Sequence, residues 1–130
     1  MSKDRNGRHE LRTGQACSVV IAVRENGTSP GMKFLKELMK SDQRAFAKFV
    51  SLFDKLCAVG HIRNITQFRK EKGEIWAFKE RQYRIGCFHD DGAWVLTHGF
   101  IKKQDKWPRE QLQRANSIRS EDLSRIENDH

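Results

Sequence analysis

The order of periodicities along this 130-residue chain predicts an α+β fold. Three observations carry that prediction. A β-branched run near the start is followed by two consecutive segments with apolar residues at helical spacing. A stretch of short alternating segments then precedes a last helical pattern, and Asp-Asp-Gly punctuates that stretch. Helices packed against one face of a largely antiparallel sheet are the expected arrangement.

The elements follow in order. "ACSVVIAVRENG" reads as the N-terminal strand, stopped at Asn26-Gly27. In "TSPGMKFLKELMK", Ser29 is placed as N-cap and Pro30 at the first helical position, with Phe34, Leu35, Leu38 and Met39 forming the apolar stripe. Ser41-Asp42 restarts the chain as a second cap. Phe46, Phe49, Val50, Phe53, Leu56 and Cys57 then recur at steps of three and four until Gly60 closes the helix. The short break predicts an antiparallel helical pair, and the aromatic stripe is core.

From Ile65 the period changes to that of an antiparallel meander of three or four strands. The segments are Ile65–Phe68, Glu74–Lys79, Tyr83–His89 and Ala93–Ile101, with turns at Glu71-Lys72-Gly73 and Asp90-Asp91-Gly92. A C-terminal helix is expected from about Pro108 to Ile118. Residues 1–15 are polar and aperiodic and read as a flexible leader, 16–118 as a single domain, and 119–130 as a polar tail.

Composition narrows the function classes. Lys and Arg number 25 against 17 acids, a net charge of +8, which favours polyanionic partners and nucleic acid first. The sequence has no apolar run of the roughly 18–20 residues a membrane-spanning helix needs, and its start lacks the apolar centre of a secretory signal. Cys17, Cys57 and Cys87 are far apart, with no Cys-x-x-Cys or Cys/His cluster, so reduced thiols, no metal site and a cytoplasmic location are expected.

The landmarks "IWAFK", "QYRIGCF", "DDG" and "LTHGFIKK", then Pro108 and a short helix containing Ala115, occur in the order and spacing of a known group. In them the chain resembles the RelE/ParE superfamily of bacterial toxins, most closely its HigB-like, phage-derived branch, from about Val19 to Ala115. The resemblance implies a RelE-like fold and a type II toxin–antitoxin toxin. It also implies a metal-independent endoribonuclease without cofactors that cuts mRNA with the ribosome. A cognate antitoxin, an acidic or helix-turn-helix protein, would be its partner. Where the family usually carries an acid–leucine–arginine triplet, this chain reads Ala77-Phe78-Lys79. The family's C-terminal tyrosine or histidine has no counterpart beyond His130 in the polar tail.

Such cleavage lines up a ribose 2′-OH on the neighbouring phosphate, removes its proton and stabilises the phosphorane charge. Arg84, at the family's arginine after the tyrosine, suits bidentate phosphate contact. Lys79 occupies the strand-arginine position, on the face shared by Ile75 and Ala77 under strict alternation. Lys102 and Lys103 lie where a strand gives way to a loop, and Gly99 permits a bulge that would alter their parity. With Lys79 and Arg84, Lys103 and His98 complete the expected catalytic set, His98 as proton shuttle or as a hydrogen-bonded structural histidine; His89 is a weaker candidate. Arg81, Lys102, Lys103, Lys106, Arg109 and Trp107 are expected to contact RNA, Trp107 by stacking on a base or, as preferred, by stapling the last helix. A second function class stays open: a non-enzymatic binder on the same scaffold, either a gyrase inhibitor or a phage-derived nucleic-acid-binding module.

Overall fold

Val19 and Ile21 enter one hydrophobic cluster and Val20 and Ala22 enter another, so the first apolar run is buried on both sides. A strand of that kind needs cover on both faces. The computed structural model, which describes residues 3–4, 6–104 and 106–129, provides it. Its elements are β1 (His9–Thr13), β2 (Ser18–Ile21), α1 (Pro30–Ser41), α2 (Gln43–Val59), β3 (Phe68–Lys72), β4 (Ile75–Glu80), β5 (Tyr83–Asp90), β6 (Ala93–Ile101) and α3 (Arg109–Asp129).

The six strands form one sheet in the order β1-β2-β6-β5-β4-β3. Neighbours are antiparallel except β2 and β6, which are parallel. The fold is therefore α+β, with the meander β3–β6 between the helical pair and the C-terminal helix. Leu35, Leu38, Phe49, Phe53 and Leu56 of α1 and α2 pack on Val19, Ile21, Phe78, Ile85 and Leu96. Ala115 and Ile118 of α3 pack on the other face, against Val20, Ile75, Phe88 and Val95. The expectation of helices on a single face is thus corrected. One strand face alone cannot bury a continuous apolar run.

Local chemistry explains most boundaries. Pro30 opens α1, but the Ser29 hydroxyl donates to the Ala22 carbonyl instead of capping the helix. Asp42 caps α2 by accepting from the Ala45 N–H, and Gly60 ends it in the left-handed region. Asp91 (φ 47) and Gly92 (φ 77) both take positive φ, the requirement of a tight two-residue hairpin. At Gly99 a Cβ would stand 2.2 Å from the Phe34 ring, so only glycine lets α1 lie this close to β6.

Three stretches differ from the sequence reading. Residues 65–67 are turn, because the Asn64 side chain accepts from the Thr66 N–H and its carbonyl from those of Gln67 and Phe68. The first meander strand is accordingly Phe68–Lys72. Residues 9–13, assigned to a leader for their polarity, are edge strand β1. Residues 119–129, assigned to a polar tail, continue α3. Leu11 and Leu123 pack on the core, and ionic ties that leave no apolar period help hold both extensions: Arg8, 1% exposed, donates to Asp122 at 2.9 and 2.7 Å and to Asp90 at 3.0 Å. Arg24 pairs with Glu121, and Arg125 with Asp122 at 3.1 Å. His130 lies outside the described residues. Among those residues, no helix is long and apolar enough to cross a membrane.

Candidate nucleic-acid interface

Lys79 on β4 and Arg84 on β5 are direct register partners, and Phe100 on β6 is Arg84's partner on the other side. Residues opposed across antiparallel ladders share a face, and here it is the face covered by α3. The adjoining row is Arg69, Ala77 and Gly86. Cations of three neighbouring strands therefore stand together, at the end of the sheet remote from the Arg8–Asp90 ion pair.

Arg84 is 9% exposed. Its guanidinium donates to the carbonyls of Arg81 and Tyr83, and its Nε is buried without a partner. Burial disfavours its charge and Arg69 opposes it, while Glu71 supports it. Burial is also the main cause that lowers the Lys79 pKa, followed by the charges of Arg84 and Arg69. Lys102 adds a smaller push, and Glu71 opposes the shift. Arg69, Lys79, Arg84 and Lys102 thus act on one region of space.

Two bulges shape this face. In β6, Ile85 pairs with Gly99 but Cys87 with Leu96, so Thr97 and His98 together oppose Gly86. Both turn toward α3, in the two positions directly before the glycine that permits the irregularity. In β3, Lys70 pairs with Trp76 but Lys72 with Ile75, so Glu71 is the extra residue. Arg69, Glu71 and Lys72 consequently face Lys106, Trp107, Arg109 and Leu112 across a cleft of about 470 Å³.

The other expected site residues divide. Lys102 is half-buried, its N–H donating to the Gln82 carbonyl at 2.7 Å, while Lys103 is exposed. Lys106 and Arg109 are exposed on the cleft rim. Trp107 packs edge-to-face on Phe100 at 4.7 Å, beneath the start of α3. A Cβ at Gly86 would come within 3.1 Å of its ring. That packing is what a helix staple requires, and it leaves part of the indole lining the cleft.

Arg81 is corrected. Its guanidinium bonds to Asp42 at 2.6 Å and lies over the Tyr83 ring, on the α1–α2 side of the sheet. The tight β4–β5 turn, with Arg81 at φ 51, sends the side chain to that side.

His98 is 1% exposed, with its Nε2 2.9 Å from the Gln111 amide oxygen and its Nδ1 3.2 Å from the Thr97 hydroxyl. The arrangement calls for a proton on Nε2 and acceptance at Nδ1. Burial pushes its pKa down to about 4. It is a neutral, enclosed imidazole that joins β6 to α3. His89, at the far end of β5, packs on Trp94.

Sequence reasoning missed Arg69 and Glu71. Alternation in "FRKEK" offered a signal, since Phe68 faces the core and Arg69 must face the other way. Nothing in the pattern marks the bulge that brings Glu71 to the same side.

Comparison with curated proteins gives no match. Residues 33–120, about two thirds of the chain, match the family described as phage derived protein Gp49-like (DUF891). The match runs from α1 through the whole meander and into α3, so it takes in every strand that carries the basic face. On that extent of agreement, the chain belongs to the phage-derived Gp49-like family, a family of RelE-like toxins.

Proposed function

We propose that this protein is the toxin of a type II toxin–antitoxin pair, on the HigB-like branch, and that it cleaves ribosome-associated mRNA by 2′-OH attack on the adjacent phosphate. The observation that carries this reading is the convergence of Arg69, Lys79, Arg84 and Lys102 on one sheet face beside a cleft rimmed by Lys106 and Arg109. Scattered lysines favour any polyanion. A partly desolvated lysine–arginine pair is suited to the charge that builds on a phosphorane, because charge stabilisation strengthens as water is excluded.

Arg84 is held by two backbone carbonyls, so its fork is oriented before substrate arrives. Lys79 loses its proton more readily than a free lysine and suits proton donation to the leaving 5′-oxygen. Lys103, Lys106 and Arg109 would track the RNA backbone. DNA would be refractory because it lacks the nucleophile. The antitoxin, an acidic or helix-turn-helix protein, would cover the basic face by charge complementarity.

Mapping RNA 5′ ends after brief induction in a bacterial host tests the proposal. New ends inside open reading frames are expected. Growth arrest with intact transcripts would replace it with a non-enzymatic binder on the same scaffold, such as a gyrase inhibitor.

A further inference from the structure

We propose that Glu71 is the general base of this site, accepting the proton of the attacking 2′-OH; the inference rests on the ribonuclease reading above. The acid missing at Ala77 is replaced from the adjoining strand. The β3 bulge delivers a carboxylate to the cleft beside the face of Lys79 and Arg84, one strand away from Ala77.

Four observations single Glu71 out. Its side chain is only 10% exposed, so its charge is held where fields are strong. It lies 3.5 Å from the Arg69 Nε and acts on both Lys79 and Arg84. It lines the cleft with Lys72 of β3 and with Lys106, Trp107, Arg109 and Leu112 of the α3 side. The competing histidine, His98, is sealed, with both ring nitrogens already engaged. Among the described residues lining this cleft, Glu71 is the one carboxylate.

The step balances without a further reagent. The 2′-oxygen gives its proton to the Glu71 carboxylate as the O2′–P bond forms. The P–O5′ bond breaks, and the 5′-oxygen takes a proton from the Lys79 ammonium. The products are a 2′,3′-cyclic phosphate and a 5′-hydroxyl. Arg69, Lys72, Lys106 and Arg109 line the cleft with the carboxylate, and its charge acts on Lys79 and Arg84, so a bound phosphate would lie beside it.

The test compares the full chain with Glu71→Gln and Glu71→Asp in single-turnover mRNA cleavage on ribosomes. Binding of an all-deoxy oligonucleotide of the same sequence, which cannot react, is measured in parallel. Glu71→Gln should cut about 100-fold more slowly or worse, the usual scale of general-base loss, while binding the deoxy oligonucleotide as tightly or more tightly. Glu71→Asp should cut at an intermediate rate. Near-wild-type cutting by Glu71→Gln, or parallel loss of cutting and binding, overturns the proposal. Should Glu71→Gln fail to fold, Glu71→Asp decides: slowed cutting with deoxy-oligonucleotide binding kept supports the proposal, and near-wild-type cutting or parallel loss of both overturns it. A wild-type protein that leaves mRNA intact overturns the ribonuclease reading itself and this inference with it.

Discussion

Lys79 and Arg84 oppose each other directly across the β4–β5 ladder, two cations on one face with no carboxylate between them in the pairing. Like charges so placed destabilise a sheet, and burial raises the cost for both. On the proposed function, this pair is where the RNA phosphate would be received.

Arg84→Ala should reduce mRNA cleavage by about 100-fold or more, the scale seen when one preorganised donor to developing charge is removed. Far-ultraviolet circular dichroism should stay unchanged, since the Arg84 side chain bonds to two carbonyls at the β4–β5 turn and the first residue of β5, and not to a distant element. Arg84→Lys should restore little, because an ammonium lacks the planar fork. Cleavage of a reporter transcript reads both.

For Lys79 the expected effect depends on pH. Its pKa lies below the ordinary 10.5, so its positive charge is lost earlier than that of a free lysine as pH rises. Affinity for a non-cleavable RNA analogue should therefore weaken on the alkaline side before exposed lysines titrate. Lys79→Arg should move that weakening to higher pH. Affinity measured at constant ionic strength checks it.

Asp122 is fully buried and receives both Arg8 and Arg125. Asp122→Ala would leave the buried Arg8 guanidinium with the partly exposed Asp90 in place of two carboxylates, at a cost of up to about 3–5 kcal/mol, the range for breaking a buried pair on one side. Denaturant unfolding should show that loss.

His98 makes the fold acid-sensitive. Its pKa falls from 6.5 to about 4 on folding, so the unfolded chain binds the proton more readily. The stability this group contributes is full above pH 6.5 and is lost as pH falls toward 4, by roughly 3 kcal/mol in all. Stability measured across that interval should decline, and His98→Gln should flatten the decline.

The limits of the sequence signal are seen in particular residues. The stripe from Phe46 to Cys57 and the Asp91-Gly92 turn are local patterns whose physics lies within a few neighbours, and they appear as read. Strand β1 and the second half of α3 are held in part by Arg8 meeting Asp122 across 114 positions, which no local period records. Arg81, a positive-φ turn residue, lies on the α1–α2 side beside Asp42, a placement no strand alternation records.

By itself the sequence determined the α+β succession of elements and the kinship with RelE-like, phage-derived toxins. It also marked Lys79, Arg84 and Lys102 as cations near one end of the sheet, because periodicity and motif order are local properties. Only the tertiary structure decided that helices cover both faces, that Arg69 and Glu71 join the cationic row, and that Arg81 and His98 are committed elsewhere. Strand order and bulges, which set which side chains meet, come from pairing between segments far apart in the chain.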